Sequence, residues 1–144
     1  MAAGIYLKVN ERSLQDSLNK LKKLANDLAK EVDMELGAAA EEIGLLAKQK
    51  APSYIASQIS VEKLSPLRYS INSNYIYSAY IEFGTGNFFK NYQGVLTNEW
   101  KQIAQEFYVN GLGRTPQQPF LYPSVTAVKP KLYKRLNTLI RPNK

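Results

Sequence analysis

A long run of apolar residues at helical spacing constrains this chain more than any other feature of its sequence. An apolar residue recurs every three or four positions through the first third of the chain, which is the spacing of one helix face. These positions are Leu14, Leu18, Leu21, Leu24 or Ala25, Leu28, Val32, Leu36, Ala39, Ile43 and Leu46. The pattern predicts a helix over about residues 11–50, capped by Asn10 or Ser13 and ended by Pro52, since the residue before a proline disfavours the helical conformation.

A helix of this length is too long to be buried in one compact domain of 144 residues. About 38 helical residues span nearly 60 Å, whereas a compact chain of this size has a radius of gyration of roughly 15 Å. The helix therefore either folds back near Gly37, where glycine weakens it by ~1 kcal/mol relative to alanine, or projects and packs on another subunit. The sequence leaves both arrangements open.

The middle of the chain alternates in the manner of β-strands. In the segment 66–72 the apolar side chains share one face, and after a turn at residues 72–74 the segment 75–83 alternates again. These two runs predict an antiparallel hairpin over about residues 66–83. The end of the second run, SAYIEF at residues 78–83, also fits one helical turn. A shorter strand signal lies at residues 4–9.

The last third of the chain predicts a loop, two helices and a basic tail. An insertion at about 87–112 begins with an aromatic-rich loop and continues as an amphipathic helix closed by Asn110 and Gly111. That helix directs Trp100, Ile103, Ala104 and Phe107 inward. A C-terminal helix and basic tail occupy 123–144, interrupted or restarted at Pro130. The whole chain, 1–144, reads as a single α+β domain with a long N-terminal helix, a small antiparallel sheet and C-terminal helices.

The composition argues against catalysis. The chain has no cysteine and no histidine, so it lacks the commonest general base, the commonest transition-metal ligand and any thiol nucleophile. Beyond residue 50 the only acids are Glu62, Glu82, Glu99 and Glu106, and no spacing among them suggests a paired-carboxylate site. The GTG and GLG stretches lack the remaining residues of a phosphate-binding loop. We expect no enzymatic activity, no cofactor and no metal.

The basic residues are concentrated at the C-terminal end. The chain has a net charge of +7, and its last sixteen residues hold six basic residues and no acid. The six are Lys129, Lys131, Lys134, Arg135, Arg141 and Lys144. Such a segment is either a solvated helix face or a contact for a polyanion or an acidic partner. No apolar run approaches the ~20 residues of a membrane span, and the N-terminus does not resemble a secretory signal, so no membrane partner is expected. The absence of cysteine fits synthesis in a reducing cytoplasm.

One acid stands out because of its surroundings. Glu82 lies in YIEFGTG, between apolar residues and a glycine turn. With no histidine and no second carboxylate nearby in sequence, it is interpreted as a structural residue that stabilises a turn of the chain. We expect its carboxylate to accept hydrogen bonds from loop amides or from an arginine, within its own subunit or from a neighbouring one, with Arg68 and Arg114 the first arginines to consider.

Two stretches, in order, resemble a known family. YSAYIEFGTG and, about thirty residues later, QQPFLYPSV are similar to the Y-A-x-(Y/F)-(V/I)-E-F-G-T and A/Q-x-P-F-(L/M)-x-P-A motifs of the head–tail joining, or tail-completion, proteins of long-tailed bacteriophages. The first motif is matched by Tyr80, Ile81, Glu82, Phe83, Gly84 and Thr85, followed by Gly86. The second is matched by Gln118, Pro119, Phe120, Leu121 and Pro123, with Ser124 in place of the usual alanine.

This resemblance implies a structural role in the virion. Members of the family look like small α+β subunits that form a ring, expected to be hexameric, in the phage neck, where the ring completes the tail and joins it to the head around the DNA channel. The implied neighbours are the connector or stopper, the tail terminator and the tail tube, with DNA in the lumen. The basic C-terminus would then meet either DNA or an acidic neighbour, of which we favour the neighbour. The alternative function is nonspecific nucleic-acid binding through that same basic segment.

Overall fold

The computed structural model describes residues 11–108 and 111–141 of the chain. Within them a 40-residue helix, a two-stranded antiparallel sheet and five further helices form, which confirms the predicted α+β class. The elements are α1 (Glu11–Lys50), α2 (Ser53–Ala56), β1 (Ile59–Ser65), β2 (Arg68–Ser73), α3 (Ser78–Phe83), α4 (Gly86–Tyr92), α5 (Asn98–Gln105) and α6 (Tyr122–Ile140). The strand signal at 4–9, the Asn10 cap, Asn110 and Lys144 lie outside the described residues.

The long helix α1 is continuous, so the fold-back alternative at Gly37 is wrong. Its C-terminal half packs against the sheet and α6, whereas residues 12–31 are exposed apart from the half-buried Leu14. Gly44 serves this packing, since a Cβ there would lie 2.5 Å from a methyl carbon of Val61 on β1. Glycine therefore marks a close approach of the sheet to the helix.

The hairpin lies earlier in the chain than the alternation predicted. β1 pairs with β2 from Ile59 opposite Ser73 to Ser65 opposite Arg68, so the predicted hairpin at 66–83 is wrong in its pairing. Its first strand is correctly placed at β2, but the partner strand precedes it. The predicted second strand is instead a turn at residues 76–77 followed by α3. The helical alternative for residues 78–83 is the correct one.

The hairpin turn is tied to α1 through Asp33. Pro66 and Leu67 connect the strands, and Leu67 adopts a positive φ of 65°, the left-handed conformation that the third residue of a type II turn requires. The Asp33 carboxylate accepts hydrogen bonds from the Leu67 amide at 2.8 Å and from Lys63 at 2.7 Å. Both bonds lower the pKa of Asp33, the lysine bond most. The helix thereby fixes the turn that sets the sheet register.

The later helices differ from their predicted bounds. α4 forms within the stretch predicted as loop, and α5 ends at Gln105, short of the predicted glycine stop. Of the residues expected inward on α5, Ala104 is buried and Trp100 half-buried, but Ile103 and Phe107 are exposed. α6 continues through Pro130, which is exposed, so the predicted interruption is wrong. The hydrogen bond that proline removes there is lost at a solvent-facing position, where water can replace it.

Two apolar clusters form the core. One gathers Phe83, Phe89, Tyr92, Leu96 and Ala104 around α3, α4 and α5. The other joins the end of α1 to α2, the sheet and the start of α6, through Ala47, Ile55, Ile59 and Phe120. The segment around Glu82 and Phe83 lies between them.

Candidate functional site

The short helix α3 brings an acid and an aromatic residue to the same buried face. Neighbours in a helix are about 100° apart, so Glu82 and Phe83 both point inward, and each is only 3% exposed. In a strand they would face opposite sides. Ala79, one helical turn before Phe83, packs against the same cluster. The helix at 78–83 therefore places a carboxylate inside the molecule.

The Glu82 carboxylate accepts three backbone hydrogen bonds at the start of α6. Its Oε1 accepts from the amides of Phe120 at 3.1 Å and Leu121 at 2.7 Å, and its Oε2 accepts from Tyr122 at 3.0 Å. Backbone amides at a helix N-terminus have no intrahelical partner, and a negative charge there is favoured by the helix dipole. Glu82 therefore caps α6 from a distant element, which confirms the expectation that loop amides hold it.

The start of α6 explains why a remote cap is needed. The N-cap position is the apolar Leu121, which makes no side-chain capping bond, and Pro123 follows in the first turn without an amide hydrogen. An apolar N-cap residue two positions before a proline was a usable sequence signal that the cap comes from elsewhere. Sequence reasoning missed it, and with it the donors Leu121 and Tyr122.

Burial and hydrogen bonding shift the pKa of Glu82 in opposite directions. Burial disfavours the charged form and raises the pKa of Glu82, while the three amides partly offset that rise. The phenol of Tyr92 is affected too: burial, with the nearby Glu82 charge, raises the pKa of Tyr92 to about 12. Neither Arg68 nor Arg114, both exposed, donates to Glu82 among the described residues, so the arginine alternative is not realised within this chain.

The glycine turn after α3 is locked to the segment that precedes α6. Thr85 donates its amide to the Thr115 carbonyl at 2.9 Å and accepts the Thr115 amide on Oγ1 at 2.9 Å. The Gln118 amide donates to the Ile81 carbonyl at 2.7 Å. Gly84 has φ 78° and ψ 179°, a region open almost only to glycine. A Cβ on Gly86 would collide with the Gly113 carbonyl oxygen. Both glycines are thus required by backbone geometry.

The two sequence motifs therefore meet in space. Glu82, Phe83, Gly84, Gly86 and Phe120 are buried. Of the other motif residues, Gln118 is exposed and the rest are half-buried around them. The half-buried ones are Tyr80, Ile81, Thr85, Pro119, Leu121 and Pro123. Ser124, where the resembling family has alanine, is fully buried and donates its hydroxyl to the Phe120 carbonyl at 2.6 Å. The residues singled out from the sequence form one corner that joins α3 to α6.

An apolar cavity of about 260 Å³ adjoins this corner. Its walls come from α1, both strands, α3, α5 and the start of α6, and they include Glu82 itself. The aromatic and aliphatic lining includes Ile71, Phe83, Trp100, Ile103, Phe107 and Phe120. Ile103 and Phe107 are partly solvent-exposed, which places the opening beside α5.

The basic residues of α6 do not form one free surface. Lys131 pairs with Glu42 at 2.8 Å and Arg135 pairs with Glu35 at 2.6 Å, both acids belonging to α1. Lys129 lies 5.7 Å from the Tyr133 ring centre. Lys134 and Arg141 are exposed, and no ion pair involves them among the described residues. Two of the six predicted contact residues therefore already hold α6 against α1, running antiparallel to it.

The described part of the chain offers no metal-binding cluster of histidine, cysteine or acidic residues. Over the same residues, no helix combines the length and apolarity needed to cross a membrane. Comparison with known protein families, with curated proteins and with solved structures found no match to this chain.

Proposed function

We propose that this chain is a structural assembly protein of a bacteriophage virion, forming a ring in the neck or tail that completes the tail and joins it to the head. Two observations support this proposal, one for assembly in general and one for the virion ring in particular. The exposed half of α1 supports an assembly role in general. The paired motifs supply the resemblance to tail-completion proteins, and with it the virion and the ring.

The observation that carries the assembly role is a leucine stripe on α1. We define the leucine stripe as Leu18, Leu21, Leu24 and Leu28, which are 38%, 61%, 65% and 38% exposed. They project from a helix segment about 30 Å long that has no described neighbour along most of its length. Helices in proteins gain most of their stability by packing an apolar face, and this apolar face is exposed in the single chain. A contiguous exposed stripe of this kind marks a contact surface.

The ring explains why such a surface is needed. A closing ring uses heterologous contacts, in which one surface of each subunit meets a different surface of the next. The leucine stripe provides one such surface. Further exposed apolar residues on the rest of the chain, among them Tyr54, Ile76, Tyr77 and Val95, provide area for the other. Catalysis forms no part of this proposal.

Nonspecific nucleic-acid binding remains the alternative, and the structure favours it less. Lys131 and Arg135 are engaged by acids of α1, which reduces the positive charge available to phosphates. If the alternative were correct, DNA affinity would fall steeply with salt, since each neutralised phosphate releases counterions.

A paired substitution tests the assembly role. Leu21→Glu with Leu24→Glu places two charges in the leucine stripe, and Asn19→Glu with Asn26→Glu makes the same charge change on the opposite face of α1. We expect the stripe variant to remain folded but to lose self-association in light scattering and incorporation into phage particles, while the control retains both. Electron microscopy of mature particles gives the decisive result for the virion role: a chain absent from them refutes it.

A further inference from the structure

The cavity beside Glu82 is too small for a large ligand, and Glu82 is the one acidic residue among the described residues that line it. Its volume of about 260 Å³ lies below the roughly 300–1,000 Å³ of ordinary small-molecule pockets. One side chain or a short amine fits such a space better than a nucleotide or a cofactor. Its lining is aromatic and aliphatic except for Glu82 and a few polar groups of β2 and α3.

Glu82 retains one acceptor position. An ionised carboxylate offers about four lone-pair sites. Two described bonds fall on Oε1 and one on Oε2, so one site on Oε2 is left unfilled among the described contacts. A buried carboxylate with a free acceptor site favours a hydrogen-bond donor, and a cationic donor most of all. The rings of Phe83, Trp100 and Phe107 suit the apolar stem and the positive head of such a group.

The chain itself supplies the matching charge. Copies carrying +7 each repel one another, and a contact between a cation of one copy and an acid of another offsets part of that repulsion. Exposed cations are available at the C-terminal end of α6, where Lys134 on the helix and Arg141 just after it form no ion pair with described residues. A basic side chain of one copy entering the cavity of the next would join opposite charges in a heterologous contact.

We propose that the cavity receives a lysine or arginine side chain from a second copy of the chain, with its apolar stem among the aromatic residues and its cationic head at Oε2 of Glu82. This proposal rests on the self-assembly inferred above. The preference of the cavity for a cation can nevertheless be measured without assembly.

The test uses the full chain and a pair of small probes. n-Butylammonium and n-butanol share a four-carbon stem and differ in charge, and each is titrated while the backbone amide resonances of Phe120, Leu121 and Tyr122 are followed. We expect the ammonium to bind at least about tenfold more tightly than the alcohol, because a hydrogen bond to a charged group is worth more than a neutral one. Equal affinities, or no binding of either probe, would overturn the proposal.

Variants that fill the cavity test whether the site that binds the ammonium probe is also required for self-association. Ala79→Leu fills the cavity while leaving Glu82 in place, and Ile103→Phe fills it from the α5 side should the first variant fail to fold. Ala127→Leu is the matched control, on an exposed position of α6. We expect the filling variants to lose both ammonium binding and self-association, and the control to keep both.

The outcomes separate this proposal from the proposed function. A filled cavity that leaves self-association intact overturns the contact proposed here while the assembly role stands. A wild-type chain that is monomeric in solution and absent from particles refutes the assembly role and the second-copy source together, and the ammonium titration still reports whether the cavity selects a cation.

Discussion

Replacing Glu82 with glutamine tests the cap on α6 with almost no change in shape. Glutamine can keep one acceptor oxygen toward Phe120 and Leu121, but its amide nitrogen then faces the Tyr122 amide, placing donor against donor. The opposite orientation loses the two bonds on Oε1. A donor left without a partner in a buried site costs about 1–3 kcal/mol, so we expect the free energy of unfolding to fall by roughly 2 kcal/mol. For a chain of this length, that lowers Tm by about 8 °C.

Chemical unfolding monitored by circular dichroism measures this change directly. Glu62→Gln removes the same charge at an exposed position of β1 and serves as the control, with an expected change near zero. Hydrogen exchange adds a local measure, since the amides of Leu121 and Tyr122 should lose protection in the Glu82 variant alone. If Glu82→Gln and Glu62→Gln unfold at the same denaturant concentration, the carboxylate does not stabilise this corner and our account of it is wrong.

Three further predictions concern the same corner. Burial raises the pKa of Glu82 above 4.5, so its contribution to stability is greatest below that value and declines as pH rises through the raised folded pKa. The stability gap between wild type and Glu82→Gln should therefore be wider near pH 4 than near pH 7 in urea unfolding, and a gap that widens with pH contradicts this sign. Gly84→Ala forces a Cβ into a glycine-only conformation and to 3.0 Å from the Gln117 amide nitrogen. We expect the free energy of unfolding to fall by about 1–3 kcal/mol or more. Gly94→Ala, at a position without positive φ, is the control in the same unfolding assay. Ser124→Ala removes one buried hydrogen bond and should cost about 1 kcal/mol, and a loss as large as that of Gly84→Ala would show that the hydroxyl does more than bond to Phe120.

The site could be anticipated in part because its residues carry strong local requirements. An acid among apolar residues followed by two glycines predicts a fastened corner, and that prediction is confirmed by the three amide bonds to Glu82. The identity of the donors was not predictable from local sequence, because they lie 38 to 40 residues away. The alternative arginine contact is not made within the described chain, because Arg68 and Arg114 are exposed and all three donors to Glu82 are backbone amides.

The hairpin shows why alternation alone misplaces strands. Residues 75–83 alternate as a strand would, yet α3 forms at 78–83 because only a helix buries Glu82 and Phe83 on the same face and brings the carboxylate to α6. β1 has a weaker pattern, and its pairing with β2 is fixed by contacts with α1, including the bonds of Asp33 to Lys63 and Leu67. Long-range partners override local propensity in both places.

The sequence by itself determined the length and end of α1, the α+β class and the positions of the two motifs, because helical periodicity, a terminating proline and glycine turns act within a few residues. Only the tertiary structure decided that α1 is continuous, that its leucine stripe is left exposed, and that α6 packs on α1 through Glu35 and Glu42. It also decided that the two motifs form one corner around Glu82. These features depend on which surfaces meet across distant parts of the chain, and no short stretch of sequence contains that information.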